Sequence, residues 1–239
     1  MPDFSITDIH SHIIWGVDDG SESKDMSLEM IRMSVKQGVG RIICTPHFSP
    51  QFHRYTNETV TERFESLKES VAGECELYLG QEIFAGSEAL EKLSKGELFP
   101  LAGSKYVLIE FYPWETIYNI RQMVREVVMM SYHPVLAHIE RYKALNDISE
   151  VASLAGQGAY MQINFSSIAG SFWDKSASYC RNVLENGLVS FLGTDMHDTK
   201  KRSPRLTAAL KWMDKNLDED YVADICSRNI DKMIKNERI

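Results

Sequence analysis

Short apolar runs alternate with longer amphipathic stretches along the whole chain. The apolar runs have the length of buried strands, and the amphipathic stretches repeat their apolar residues at helical spacing. Several of these stretches are followed by a glycine where a helix commonly ends: Gly38, Gly73, Gly96, Gly158 and Gly187. The predicted strands are 5–14, 41–48, 76–83, 105–112, 134–140, 159–166 and 189–196. The predicted helices are 27–38, 59–72, 86–95, 116–131, 147–156, 176–186, 204–216 and 219–235.

This order of elements predicts an α/β fold. Strands separated by helices form βαβ units, which build a parallel sheet. Seven such units fit a closed barrel better than an open sheet. No low-complexity linker interrupts the pattern, so we expect one domain over residues 1–239.

Six of the seven predicted strands carry side chains that can bind metal ions at or near their carboxyl ends. In a parallel barrel these ends converge on one face, where sites of this architecture form. Two of the strands carry a pair of candidates two residues apart, and both members of such a pair point to the same side. The candidates are His10 with His12, His47, Glu82, Glu110, His138, and Asp195 with His197.

Taken singly, each candidate is more often a hydrogen-bonded core residue than a ligand. Burying them together without a counter-charge would be very costly, and divalent cations remove that objection. Histidine-rich sites with carboxylates suit Zn²⁺, Mn²⁺ or Fe²⁺ better than Mg²⁺ or Ca²⁺. We interpret His53 and His133 as surface or loop residues, and Asp8 as a hydrogen-bond acceptor behind the ligands.

Composition and charge disfavour several classes of function. The 239 residues have a formal net charge of -8, which disfavours a nucleic-acid-binding surface. We expect no secretory signal and no membrane-spanning segment, and therefore a cytoplasmic protein with reduced thiols. A cysteine phosphatase needs an arginine six positions after its nucleophile. The residues six positions after the four cysteines are Pro50, Gln81, Asn186 and Lys232. None of them is an arginine, so the sequence excludes a cysteine phosphatase.

Six short motifs in order resemble a known family. They are DIHSHIIWGVDDG, CTPHF, GQEI, LIEF, LAHIERY and GTDMHDTKKR, and the match that contains them runs from residue 8 to residue 204. Together they are similar to the polymerase-and-histidinol-phosphatase (PHP) superfamily. Within it they resemble the bacterial protein-tyrosine phosphatases of the CpsB, CapC and YwqE type. The family's usual AHPERY has Ile139 in place of proline here, and Phe48 replaces a second histidine found in many relatives.

The resemblance implies a distorted (β/α)₇ barrel with a three-metal cluster, generally active with Mn²⁺, with Fe or Zn as alternatives. The third metal would take one aspartate of the VDDG turn. We choose Asp19 over Asp18 from its distance past His10, although a turn can present either. The implied sets are His10, His12, Glu82 and Asp195; Glu82, Glu110 and His138; and Asp19, His47 and His197.

The implied reaction is hydrolysis of phosphotyrosine by a hydroxide that bridges the metals. Arg141 and Arg202 match the family's phosphate-binding arginines, whose planar forks suit phosphate. The implied partner is a bacterial tyrosine kinase that controls capsule or exopolysaccharide synthesis. We expect aromatic residues in the loops to stack on the phosphotyrosine ring: Phe48, Phe52, Tyr55 and Tyr112.

Three other functions stay open at this point. A histidinol-phosphate phosphatase, or another small-molecule phosphomonoesterase of the superfamily, would share the metal cluster. A PHP exonuclease would need a basic groove, which the acidic balance disfavours. A non-enzymatic binding module is disfavoured because every matched ligand position is intact. The sequence does not predict an oligomeric state.

Overall fold

The strands of the barrel follow the predicted runs. The structure is a computed structural model that describes residues 4–49, 52, 55–170 and 174–239, so His53 lies outside the described residues. Strands β1 to β9 are Ile6–Ser11, Val39–Cys44, His47–Phe48, Glu76–Leu79, Glu82–Phe84, Tyr106–Glu110, His133–Leu136, Tyr160–Asn164 and Phe191–Gly193.

All strand pairs are parallel, in two sheets of order β1-β2-β4 and β3-β5-β6-β7-β8-β9. The last strand meets the first, because the Asp195 amide donates to the His10 carbonyl at 2.8 Å and the His12 amide donates to the Met196 carbonyl at 3.0 Å. These bonds curl the sheets into a distorted barrel with seven strand positions. The predicted α/β barrel is confirmed.

Two predicted strands are each broken into two segments. Residues 41–48 form β2 and β3, separated at Thr45 and Pro46, where proline has no amide to donate to a sheet. Residues 76–83 form β4 and β5, separated at Gly80 and Gln81. At these breaks the chain passes from the β1-β2-β4 sheet to the sheet that contains β3 and β5.

Helices cover the outside of the barrel. The predicted glycine positions all have positive φ, between 67° and 96°, as the prediction requires. The final predicted helix is interrupted by a π-helical segment, Asp224–Arg228, between α9 and α10. Helices α1 to α10 are Lys24–Val35, Asn57–Ser70, Ser87–Ser94, Ile117–Met129, Ile148–Gly156, Phe165–Ile168, Lys175–Glu185, Thr207–Asn216, Glu219–Ala223 and Asn229–Ile234.

The core has two parts. A large apolar cluster fills the space between the strands and the surrounding helices. A smaller cluster fills the barrel interior below the polar face and includes Ile9, Leu108, Val135 and Phe191, with Ile230 of α10 beneath it. Apolar filling at this end leaves the carboxyl ends of the strands as the polar face. Among the described helices, none has the length and hydropathy to cross a bilayer.

Candidate metal centre

The nine predicted ligands converge at the carboxyl face of the barrel. Their side chains form four overlapping groups, within each of which the ligand atoms lie within 4.8 Å of one another. A cluster that joins residues so distant in the chain requires the closed barrel. The groups are His10, His12 and Asp195; His10, Glu82 and His138; His47, Glu82 and Glu110; and His12, Asp19, His47 and His197.

The backbone is unusual at two of these positions. His138 follows β7 with φ of 31°, and Asp195 follows β9 with φ of 53°. Residues other than glycine seldom adopt positive φ, and such conformations concentrate at functional sites. Each conformation turns a side chain inward where its strand has ended.

Glu82, the first residue of β5, lies at the centre of the cluster and is almost fully buried. Its Oε2 lies 3.1 Å from Nε2 of both His10 and His12, and 3.2 Å from Nδ1 of His47. Its Oε1 lies 2.9 Å from Nε2 of His138. One carboxylate therefore faces four imidazoles, as a bridging ligand would.

Hydrogen bonds to Nδ1 fix the rings of His10 and His12 on the side away from the cluster. His10 Nδ1 lies 3.2 Å from Gln162 Oε1, and His12 Nδ1 lies 2.9 Å from Asp18 Oδ2. Each contact holds a proton on Nδ1 and leaves Nε2 free towards the cluster, which is the usual arrangement of metal-binding histidines.

Strand β8 supplies polar residues that the sequence reasoning missed. Gln162 Oε1 also accepts the His138 amide, and its Nε2 donates to Asn164 Oδ1 at 2.9 Å. Asn164 Nδ2 in turn donates to Asp195 Oδ2 at 3.2 Å. The signal in the sequence was two amides spaced two apart in QIN, on the one strand without candidate ligands.

The two aspartates of the VDDG turn have different roles. The side chain of Asp18 is buried and accepts hydrogen bonds from His12 Nδ1 and from the amides of His47 and Gly20. Asp19 is half exposed, and its Oδ1 lies 3.3 Å from His197 Nε2 and 3.5 Å from His47 Nε2. Asp19, the sequence-based choice, is therefore grouped with the candidate ligands His12, His47 and His197, whereas Asp18 lies behind His12.

Replacing Asp18 with asparagine is expected to weaken metal binding about 10- to 100-fold, as loss of a partner behind a ligand typically does. The amide keeps the size of the carboxylate but removes the charge that orients His12. Titration of Mn²⁺ into the metal-free protein measures the change. Asp214→Asn, on the exposed face of α8, is the matched control. Equal Mn²⁺ affinities for Asp18→Asn and the control would contradict this role.

The donor set fits divalent metal ions. Two buried nitrogens, His47 Nδ1 and His197 Nε2, make no hydrogen bond within the described part of the chain. His10 Nε2 and His12 Nε2 lie 3.2 Å apart, and two nitrogens on one metal ion are separated by roughly 3–3.5 Å. These two nitrogens lie 3.2 Å from Glu82 Oε2 and 3.3 Å from Asp19 Oδ1 respectively, and a cation between each nitrogen and its carboxylate would satisfy both.

Protons balance part of the cluster's charge. Burial disfavours the charged form of Glu82, but the imidazoles of His10 and His47 outweigh burial and hold its pKa well below the usual range. Burial and Arg141 oppose protonation of His138, yet its hydrogen bonds to Glu110 and Glu82 raise its pKa to about 9. Metal ions and protons therefore compete for the same nitrogens.

Arg141 and Arg202 line a cavity of about 240 Å³ above the cluster. Each guanidinium pairs with Asp195, with Arg202 Nη2 at 3.1 Å from both carboxylate oxygens. Both side chains remain about two-fifths exposed. They share the lining of this cavity with five candidate ligands: Asp19, His47, Glu82, Glu110 and Asp195.

The aromatic residues expected at the cavity divide into two sets. Phe52 and Tyr112 line the cavity, and Phe52 stacks on the His47 ring at 5.0 Å. Phe48 and Tyr55 do not line this cavity but a neighbouring pocket of about 300 Å³, which shares Phe52 with it. Phe84 of β5 also lines the cavity and had not been predicted.

His133 and Asp8 lie outside the groups of candidate ligands. His133 is half-buried at the start of β7, at the opposite end of the barrel, and packs on the Tyr106 ring at 4.7 Å. It is thus outside the metal centre, as expected, but not in a loop. Asp8 accepts hydrogen bonds from the Thr194 amide and hydroxyl and from the His10 amide, so it joins β1 to the β9 end.

The cysteines take no part in this site. All four are buried free thiols: Cys44, Cys75, Cys180 and Cys226. Burial raises the pKa of both Cys75 and Cys226 to about 12. Thiols that remain protonated are poor nucleophiles, which agrees with the exclusion of a cysteine phosphatase.

A parallel barrel with an imidazole and carboxylate cluster at its carboxyl face defines a candidate metallohydrolase. Residues 6–235 match the family described as "Capsular polysaccharide synthesis, CpsB/CapC". The chain belongs to this family, and the resemblance seen in its motifs is confirmed.

Curated relatives align along almost the whole chain. The tyrosine-protein phosphatase CpsB of Streptococcus agalactiae serotype V is 33% identical, with 97% of this chain and 99% of the relative covered. The tyrosine-protein phosphatase YwqE of Bacillus subtilis is 30% identical, with 97% and 92% covered.

A solved structure shares the whole fold. Crystal structures of YwqE from Bacillus subtilis and CpsB from Streptococcus pneumoniae are described as unique metal-dependent tyrosine phosphatases. One of their chains matches with a TM-score of 0.88 at 30% identity, covering 98% of this chain and 96% of that chain. A β-aspartyl dipeptidase from Fervidobacterium islandicum AW-1, with a TM-score of 0.63 at 14% identity, covers 97% of this chain and 73% of its own, and shares the fold alone.

Proposed function

We propose that this chain is a metal-dependent protein-tyrosine phosphatase acting in capsular or exopolysaccharide synthesis. The observation that carries the proposal is the convergence of nine metal-type ligands and two arginines around one cavity. Its family membership supports the proposal, because its relatives CpsB and YwqE are named tyrosine-protein phosphatases.

The cofactor is proposed to be a cluster of three Mn²⁺ ions, with Fe or Zn as alternatives. Bound divalent ions lower the pKa of water towards neutrality and neutralise charge on a phosphoryl group. The chain's part is to hold the ions within reach of one another. Glu82 serves two of the three proposed sets, because its oxygens face four imidazoles from β1, β3 and the β7 end.

The residues around the cavity bind and orient the substrate. Arg141 and Arg202 present planar donor forks that suit the phosphoryl oxygens, where negative charge spreads in the transition state. Phe52, Phe84 and Tyr112 give the same cavity an aromatic wall that suits a phenyl ring. A phosphate end and an aromatic end in one cavity favour an aryl phosphate over an aliphatic one.

The proposed substrate is a phosphotyrosine protein, with a bacterial tyrosine kinase as the physiological partner. The family's link to capsular polysaccharide synthesis supports this partner. We further propose a cytoplasmic location, which the four buried free cysteines support because reduced thiols are typical of that compartment.

Phosphate release tests the proposed function directly. A phosphotyrosine peptide, a phosphoserine peptide and histidinol phosphate are each supplied with Mn²⁺ or with a chelator. We expect release from the phosphotyrosine peptide alone, abolished by the chelator and restored by Mn²⁺. Preference for histidinol phosphate would move the function to small-molecule metabolism, and release that persists in chelator would exclude the metal mechanism.

A further inference from the structure

An exposed aromatic segment follows directly after a candidate metal ligand. Three of the five most exposed large apolar side chains among the described residues lie within nine residues of Glu110. They are Tyr112, Trp114 and Tyr118, exposed by 40%, 69% and 72% respectively. Exposed aromatic residues concentrated beside a site are typical of binding surfaces.

The loop that carries Tyr112 and Trp114 is fixed by hydrogen bonds at both ends. The Phe111 amide donates to the Tyr142 hydroxyl at 3.2 Å, and the Pro113 carbonyl accepts the Lys143 amide at 3.0 Å. Thr116 then caps α4. The rings are therefore held in place before a ligand arrives, which lowers the entropy cost of binding.

The rings form a continuous surface that leads out of the cavity. The Phe84 ring meets the Tyr112 ring edge to face at 4.5 Å, and both line the cavity. Trp114 stacks on Tyr112 at 5.1 Å with an interplanar angle of 6°, but it does not line the cavity. Trp114 thus extends the aromatic wall by one ring beyond the cavity opening.

We propose that Trp114 binds an apolar residue, aromatic or aliphatic, adjacent to the phosphotyrosine in the substrate peptide. The inference rests on the proposed function and adds a preference in substrate sequence. With the phosphotyrosine ring against Tyr112, the next substrate side chain outside the cavity reaches the exposed indole. An indole on a fixed loop offers a large apolar contact that a charged or missing side chain cannot use.

Peptide preference in the wild-type enzyme is the first test and needs no variant. Phosphotyrosine peptides that carry Leu, Gly, Glu or Lys beside the phosphotyrosine are compared at saturating Mn²⁺. We expect KM to be roughly tenfold lower for leucine than for glycine on at least one side of the phosphotyrosine, with kcat unchanged. Equal KM values, or a preference for lysine, would overturn the proposal.

The second test replaces Trp114 with alanine. We expect KM for the leucine peptide to rise roughly tenfold, and KM for the glycine peptide and for p-nitrophenyl phosphate to change less than about twofold. Trp114→Phe should recover most of the loss. Tyr112→Ala should raise KM for all three substrates, because Tyr112 lines the cavity itself.

A matched control variant shows whether the effect belongs to Trp114 itself. Met129→Ala removes a comparably exposed apolar side chain at the last residue of α4, which does not line the cavity, and should leave all KM values unchanged. If Trp114→Ala changed the oligomeric state in size-exclusion chromatography but not the KM ratio, a contact between copies would replace the proposal. If wild-type protein released no phosphate from any phosphotyrosine peptide, the proposed function itself would fail.

Discussion

Replacing Glu82 with glutamine is expected to lower kcat by at least about a thousandfold, more than removal of one transition-state donor usually costs. Glu82 is the only predicted ligand shared by two of the proposed metal sets. Its oxygens lie 2.9 to 3.2 Å from the nitrogens of four imidazoles. An amide keeps the shape but offers one weak ligand atom and no charge. Phosphate release with added Mn²⁺ measures the loss.

Metal content and circular dichroism complete this test. Glu82→Gln is expected to retain fewer metal ions per chain than wild type while its circular dichroism spectrum stays the same. Glu65→Gln, on the exposed face of α2, is the matched control and should behave as wild type. Wild-type activity in Glu82→Gln would show that the cluster at the barrel mouth does not perform the reaction.

Much of the fold could be predicted because the sequence signals for single helices and strands agree with the elements from which the barrel is built. The predicted helix ends at Gly38, Gly73 and Gly187 have the positive φ that only glycine adopts readily. The breaks at Pro46 and Gly80 were missed, because an apolar run that crosses a kink looks like one strand. The π-helical segment in the last helix contains the buried residues Ile225 and Cys226, and apolar periodicity does not report such a local change of winding.

The candidate ligands could be predicted because their side chains are polar or charged whereas the strands that carry them are apolar. A histidine or glutamate at the end of an apolar strand is costly, so each one is visible in the sequence. The residues that support them were harder to recognise. Gln162 is a neutral residue in a strand, and Asp18 is one of two adjacent aspartates. Only their contacts with His10 and His12 distinguish them from ordinary polar residues.

The aromatic residues that line the cavity could be predicted only in part. Tyr112, the last residue of the predicted strand 105–112, was among the expected aromatic residues, whereas Phe84, directly after the predicted strand 76–83, was not. The structure brings the two rings to 4.5 Å across neighbouring strands β5 and β6. Contacts between strands depend on register, and a single sequence does not report register.

The second large effect is expected at the arginines. Arg141→Ala and Arg202→Ala should each lower kcat/KM for a phosphotyrosine peptide by roughly 10²–10³-fold, because each removes a fixed cation from the phosphoryl oxygens. Lysine at either position should recover only part of the activity, since it keeps the charge but not the planar fork. Arg125→Ala, on the exposed face of α4, is the matched control.

Inhibition by inorganic phosphate distinguishes the two roles that these arginines can have. Both pair with Asp195 in the structure, so either could act only by neutralising that carboxylate. A purely neutralising arginine would change metal content when removed and leave the inhibition constant for phosphate unchanged. Loss of an arginine that binds the phosphoryl group would raise that constant at unchanged metal content. We expect the second result, because both side chains line the cavity and are about two-fifths exposed.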